Sequence, residues 1–345
     1  YTTEKKEKEI ELLKKNKEIK NLDLNRKKIE LNTQRVITAS VLASFLLLMI
    51  VAGLLFNSYR LKKKANVQLQ EAFNLIEEKN KVIEKSSLMI TDSITYAKRI
   101  QDAVLPASKE IADMLSDDFF ILYKPSQIVS GDFYWCSSQQ QKIIFVVADC
   151  TGHGVPGAFM SMIGNTLLNE IVNERKITSP DEIAKLLDQK IIHALHQHSE
   201  SGQYDGMDIS ICCIDKEKKE VHFTGAHHSM YIYDEHLQKI KGDPYSIGGA
   251  QHLNSKKFTS RIITYKKNIR LYLLTDGYCD QSGGEERKRF TSRKFENLLE
   301  EIQGRDMMQQ QLQLEATFDE WKGSTNQRDD VLVVGIAVND EHAGA

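Results

Sequence analysis

The chain has 345 residues, with 46 Lys and Arg against 48 Asp and Glu and a net charge of −2. That length exceeds one ordinary domain, and the balanced charge excludes a global pull toward nucleic acid. Five cysteines, with Cys212 and Cys213 adjacent, lack the CxxC spacing of a zinc site. Reduced thiols in a cytosolic domain are therefore expected. The chain opens on Tyr1 rather than Met, so an upstream segment is expected as well.

Residues 1–35 hold eleven Lys and Arg against seven Asp and Glu, with Ile10, Leu13, Ile19, Leu22 and Ile29 scattered among them. This pattern predicts a charged, solvated helix. Val36–Phe56 contains no charge and only Thr38, Ser40 and Ser44 as polar interruptions. As a helix it would extend roughly 32 Å, enough to cross a bilayer once. A buried core helix is the alternative, but such helices are usually shorter, and a signal peptide does not follow 35 mostly polar residues. Basic residues flank both ends, Arg26, Lys27, Lys28 and Arg35 before and Arg60, Lys62, Lys63 and Lys64 after, so charge does not orient the span. The thiols place the C-terminal part of the chain in the cytoplasm, and a single pass through the inner, cytoplasmic membrane is expected.

Within residues 61–105, Leu69, Phe73, Ile76, Asn80, Ile83, Ser87, Ile90, Ile94, Ala97, Gln101 and Val104 recur at alternating spacings of four and three. That is the 3.5-residue seam of a coiled coil, with Asn80 as a buried amide that favours one register. A parallel homodimer is expected, with one alternative: Ile90 to Val104 could pack on their own domain instead. Pro106 stops the helix.

Residues 106–340 read as short apolar runs between turns. Strands are predicted at Phe119–Tyr123, Asp132–Cys136, Ile143–Ala148, Asp208–Ile214, Glu220–Thr224, Met230–Tyr233, Phe258–Tyr265, Arg270–Leu274 and Val331–Val338. Helices are predicted at Val155–Asn173, Pro180–His198, Ser292–Ile302 and Asp306–Trp321. Short turns between neighbouring strands point to antiparallel sheets. Helices grouped in two blocks point to an α+β layered sandwich.

Four aspartates end or open the apolar runs: Asp132, Asp149, Asp276 and the first of the Asp329-Asp330 pair. Converging carboxylates repel one another unless a divalent cation neutralises them, so a metal centre is expected. After Asp149, Cys150-Thr151-Gly152-His153-Gly154 forms a glycine-bearing turn into a helix with Pro156 near its start. Alone, this turn is equally a structural connection.

Together, Ser130-Gly131-Asp132-Phe133-Tyr134, Asp149-Cys150-Thr151-Gly152-His153-Gly154, Thr224-Gly225-Ala226-His227-His228, Thr275-Asp276-Gly277 and Asp329-Asp330 stand in order. This arrangement resembles the PPM-type metal-dependent serine/threonine phosphatases, in particular the stage II sporulation protein E family, over roughly residues 86–340. The resemblance implies an α-β-β-α sandwich of two antiparallel sheets between helices, with two Mn²⁺ or Mg²⁺ ions. It also implies that Asp132 and Asp149 bind both ions, that the Cys150 carbonyl completes one shell, and that Asp276 and Asp329 hold the second ion, with Asp330 beside them. The implied substrate is a phosphorylated regulatory protein such as an anti-sigma-factor antagonist.

Thr151 stands where many relatives carry a histidine, and no counterpart of their phosphate-binding arginine is evident, so the general acid is left open. The rival readings are a dimeric scaffold that kept the fold without turnover, and a two-metal phosphoesterase for small molecules. Asp208 is expected to cap a strand or support the site from behind. His227, His228, His193, His196 and His198 are expected to be structural or solvated, and Trp135 and Trp321 to be core residues.

Overall fold

The computed structural model describes residues 2–115, 118–197, 204–249 and 256–339. The first helix, α1 (Thr2–Val104), begins in one compact unit, Tyr1–Ser87, and ends in a second, Leu88–Ala345. In the first unit the apolar residues of 36–56 are exposed, and the helix there is long and apolar enough to cross a membrane by length and composition alone. The seam residues Leu69, Phe73, Ile76 and Ile83 are exposed too.

In the second unit the seam begins to meet the rest of the chain. Ile94 is half-buried and Gln101 fully buried, so these last turns lie against their own domain. After Pro106 come α2 (Ser108–Leu115), β1 (Phe119–Lys124), β2 (Phe133–Gln139), β3 (Lys142–Cys150), α3 (Val155–Leu168) and α4 (Pro180–Ala194). Next are β4 (Gly206–Asp215), β5 (Glu220–Ala226), β6 (Met230–Asp234), β7 (His236–Ile240), β8 (Ile247–Gly248), β9 (Arg261–Thr264) and β10 (Ile269–Leu274). The short α5 (Gly277–Asp280), the small hairpin β11 (Ser282–Gly283) and β12 (Lys288–Arg289), α6 (Ser292–Glu301), α7 (Met307–Lys322) and β13 (Val331–Val338) complete the chain.

One sheet has the order β1-β13-β10-β6-β7 and the other β2-β3-β4-β5-β9, with β8 pairing to β4. Pairing within both is antiparallel. The central strands are apolar throughout because both of their faces are covered. On β3, Ile143, Phe145 and Val147 enter a core shared with Leu271, Leu273, Leu332, Val334 and Ile336 of the opposite sheet. Alternate residues Ile144, Val146 and Ala148 face Leu168, Ile183 and Leu187 of α3 and α4. A third core packs Tyr272, Val331 and Val333 against Tyr278, Phe295 and Phe318 of α5, α6 and α7. The period-two side-chain alternation of a strand thus yields helices, sheet, sheet, helices, the α+β sandwich expected from the sequence.

Several boundaries differ. The strand predicted over Phe258–Tyr265 pairs only across Arg261–Thr264. The helix predicted over Val155–Asn173 is α-helical to Leu168 and continues as a π-helical segment, Asn169–Glu174. His198, the predicted end of the next helix, lies outside the described residues, as does residue 340.

Candidate metal centre

The two sheets present their carboxylates at the same end of the sandwich. Asp132 immediately precedes β2 and is buried. Its carboxylate Oδ2 accepts the Thr275 hydroxyl at 2.6 Å, its N–H reaches Ser130 Oγ at 3.1 Å, and its carbonyl accepts from Tyr123 at 3.1 Å. Asp149 is the penultimate residue of β3 and stands opposite Asp208 of β4. Asp276 follows β10 at the start of α5, and Asp329 lies just before β13.

Close backbone approach brings these turns together. A Cβ on Gly277 would come within 1.9 Å of the Asp330 carbonyl. One on Gly157 would meet the Gly152 carbonyl at 2.1 Å, and one on Gly131 the same oxygen at 2.7 Å. Only glycine permits such contacts, and they set the Cys150–Gly152 turn against the Ser130–Asp132 loop.

Asp330 performs a different task from its neighbour. Its Oδ1 accepts from Ser126 N at 2.6 Å and Ser126 Oγ at 3.0 Å, while Oδ2 accepts from Gly131 N at 2.7 Å. Both oxygens are thus engaged in joining the start of β13 to the loop that carries Asp132. Thr151 uses its hydroxyl to accept from Gly206 N at 3.1 Å. The Cys150 side chain is buried, which pushes its thiol up.

The carboxylates feel one another. Burial, then repulsion from Asp276 and Asp329, pushes the Asp149 carboxyl up to about 8. Burial, then Asp149, raises Asp132 well above the usual carboxylate range. Asp276 is pushed up to about 6 by burial and then by Asp329 and Asp280. Burial raises Asp329 as well, with His153 and the Asp330 N–H pulling the other way. Arg289, paired with Asp280 at 3.0 Å, is a cation that draws Asp276 back down. It sits on the small hairpin that the sequence pattern did not reveal.

An open cavity of about 320 Å³ is lined by Asp149, Cys150, Thr151, Gly152, His153, Asp208, Ser246 and Asp329. His153 holds Gln127 at 2.6 Å through Nδ1. As the side chains stand, no group of three or more His, Cys, Asp or Glu residues closes into a ligand set among the described residues. The donors are nonetheless all oxygen, mutually repelling and proton-avid, which is the chemistry of a hard divalent cation site.

The remaining sequence candidates fall elsewhere. His193 and His196 are exposed and contact each other, and Trp135 is core. Buried His228 has an unpartnered Nδ1, and burial pushes it down to about 4. What spacing could not disclose is the supporting shell: Thr275, Ser126, Ser246 and Gln101. The Gln101 amide Nε2 donates to Ser130 O at 2.6 Å and Ser161 Oγ at 2.9 Å, and its Oε1 accepts from Ser130 N at 3.1 Å.

The comparisons agree with this architecture. The family model for stage II sporulation protein E matches residues 139–339. No curated protein sequence matches the chain. Among solved structures, the SiaA PP2C domain of Pseudomonas aeruginosa is 30% identical with a TM-score of 0.67, covering 74% of this chain and 99% of that one. Two others share the fold at low identity. The RsbU and RsbW domains of a Mycobacterium tuberculosis protein align at 18% identity and TM-score 0.51, over 64% of this chain and 60% of that one. The PP2C phosphatase domain of SpoIIE from Bacillus subtilis, with a fragment of its regulatory domain, aligns at 15% and 0.52, over 64% and 63%. By its family match, its fold and the ordered carboxylates, the chain belongs to the stage II sporulation protein E family of PP2C-type phosphatases.

Proposed function

We propose that this chain is a membrane-anchored protein phosphatase that uses two divalent cations, Mn²⁺ or Mg²⁺, to hydrolyse phosphoserine or phosphothreonine on a regulatory protein. The family and fold support a protein phosphatase. The observation that carries the finer reading is the crowding of Asp132, Asp149, Asp276 and Asp329 from both sheets, with raised proton affinity at each. These four carboxylates and the Cys150 carbonyl would hold the cations, and Asp330 would hold the loops that carry them. Bound cations supply a more acidic water and neutralise phosphoryl charge in the in-line displacement.

The protein's own groups do the rest. Thr275 fixes the Asp132 carboxylate, and the Gly131–Gly157 contact positions the turn after Asp149. The apolar stretch 36–56 supports a membrane anchor, and the exposed seam from Leu69 to Ile83 supports pairing with a second copy. A cytoplasmic catalytic unit is consistent with five buried free thiols.

The test is hydrolysis of p-nitrophenyl phosphate and of a phosphoserine peptide by the detergent-solubilised chain, with and without Mn²⁺. Metal-dependent release of phosphate from both is expected. A folded, Mn²⁺-saturated protein inert toward both would overturn the reading in favour of a scaffold. Turnover of a nucleotide phosphate with none of the peptide would favour the small-molecule phosphoesterase.

A further inference from the structure

A serine alkoxide is a far poorer leaving group than an aryl phenolate, so hydrolysis of phosphoserine calls for a proton donor at the departing oxygen. Thr151 is no such donor, because an aliphatic hydroxyl is too weak an acid near neutral pH, and its oxygen is the acceptor for Gly206 N. A second cavity, of about 230 Å³, adjoins the carboxylate cavity and is lined by Tyr204, His227, Pro244, Tyr245, Ser246 and Lys256, among others. Ser246 belongs to both cavities. At this junction, His227 Nδ1 lies 3.7 Å from Oδ2 of Asp208, a carboxylate that lines the metal-side cavity and stands opposite Asp149.

The pair is held in place. Asp208 Oδ1 accepts the Ser246 hydroxyl at 2.5 Å. The loop carrying Ser246 is fixed by the buried Lys256 ammonium, which donates to Ser246 O at 3.0 Å, Gly248 O at 2.6 Å and Asp188 Oδ1 at 2.8 Å. His227 occupies the left-handed region at φ 58°, uncommon for a side chain with a Cβ, and its N–H is clamped to Asp243 O at 2.8 Å. Its side chain remains half exposed, at 51%. The other ionisable groups around the ring are buried His228 behind it and Tyr204, Tyr245 and Lys256 on the cavity walls.

Resting on the phosphatase reading, we propose that His227, oriented by Asp208, is the general acid for the departing serine. Phosphate lies on the carboxylate side and the substrate chain in the adjoining cavity. As water oxygen bonds to phosphorus and the P–O bond to serine breaks, serine Oγ takes the proton from His227 Nε2. The proton lost by the attacking water returns the imidazole to its starting form through solvent. Asp208 is a positioning residue, because it turns Nδ1 toward itself and Nε2 away from itself.

The experiment compares turnover of a phosphoserine peptide with that of p-nitrophenyl phosphate in the Mn²⁺-loaded full chain. With His227→Gln, the loss of kcat on the peptide should exceed the loss on the aryl ester by at least tenfold, in line with the roughly 10²–10⁴-fold worth of general acid catalysis. Asp208→Asn should shift the same ratio in the same direction by less, and serves if His227→Gln fails to fold. Equal losses on both substrates, or none, would overturn the assignment. So would a leaving-group-specific loss in His153→Gln that is absent from His227→Gln. A wild-type chain inert on both substrates would overturn the phosphatase reading itself, a distinct result.

Discussion

Thr275 donates its hydroxyl to Asp132 across 2.6 Å, joining the end of β10 in one sheet to the start of β2 in the other. The same oxygen accepts from Leu332 N at 3.1 Å, so it also ties in β13. One buried hydroxyl therefore fixes the relative position of carboxylates from both sheets. Thr275→Val removes both bonds and leaves a buried N–H unpaired, at a cost of about 1–3 kcal/mol. Mn²⁺ affinity should fall about 10- to 100-fold, as for other partners of metal ligands, and Thr275→Ser should restore most of it. Calorimetric titration with Mn²⁺ measures this, and unchanged affinity in Thr275→Val would remove the hydroxyl from the account.

Crowded carboxylates give the metal-free protein a defined response to pH. In the unfolded chain Asp149 titrates near 4, whereas in the fold it is pushed up to about 8. Between those values the folded chain keeps a proton that the unfolded chain has lost, so stability present at low pH drains away as pH rises through about 8. Asp276 acts with the same sign up to about 6. His228, pushed down to about 4, acts with the opposite sign below its ordinary value near 6.5. Above pH 6.5 the response belongs to Asp149 together with buried Asp132, which is also raised well above its ordinary range, and the slope approaches about 1.4 kcal/mol per pH unit for each proton bound only in the fold. Thermal melts without metal should show falling stability from about pH 6.5 to 8, and Asp149→Asn should reduce the fall, both by removing its own carboxyl and by removing the charge that raises Asp132. A flat or rising profile in the wild type would contradict the crowding.

Glycine contacts make a separable prediction. Gly157→Ala places a methyl 2.1 Å from the Gly152 carbonyl and 2.8 Å from Gly131 Cα, both of them backbone atoms. Relief requires the Cys150–Gly152 turn to move, with an overpacking cost of roughly 1–3 kcal/mol and weaker Mn²⁺ binding. Gly304→Ala, with nothing within 4 Å of its Cβ, is the control. Equal melting temperatures for the two variants would show that the turn is not held by this contact.

The contrast between legible and illegible features reflects what a sequence can express. Asp132, Asp149, Asp276 and Asp329 stood out because β3, β10 and β13 are buried on both faces and read as continuous apolar runs that stop at a carboxylate. Strands β7, β8, β11 and β12 did not: β7 and β12 are largely exposed, and β8 and β11, though buried, are only two residues long, so none carries such a run. The bonds from Thr275 to Asp132 and from Ser126 to Asp330 span 143 and 204 residues. No local spacing encodes them. The glycines were visible, but which backbone each one admits was not.

Asp330 and Asp276 should respond to the same substitution in opposite ways. Asp276→Asn removes a charge that burial and Asp329 disfavour, so the metal-free fold should gain stability near neutral pH while phosphatase activity drops by orders of magnitude. Asp330→Asn replaces an acceptor that serves three donors with an amide that can offer only one oxygen. It should lower the melting temperature, with a cost of about 1–3 kcal/mol. Melting curves for both variants, each without metal, decide this. A stabilised Asp330→Asn would mean that its carboxylate belongs with the repelling set.

Gln101 links the carboxylates to the helix that leads into them. Its amide satisfies both the N–H and the C=O of Ser130 and reaches Ser161 on α3, while Asn165 on α3 donates to Val104 O at 3.1 Å. The last turn of α1 is thereby bonded to the loop before Asp132 and to the helix that comes after the Asp149 turn. Gln101→Leu keeps the size and the helical propensity but strands the Ser130 peptide groups in a buried site, each at about 1–3 kcal/mol. Gln101→Glu retains the acceptor for Ser130 N and loses the donors to Ser130 O and Ser161 Oγ. Both variants should melt below wild type, whereas Ala97→Leu, at an exposed position one turn earlier, should not. If Gln101→Leu melts with the wild type, the bonds around Ser130 contribute nothing to holding α1 against the catalytic unit.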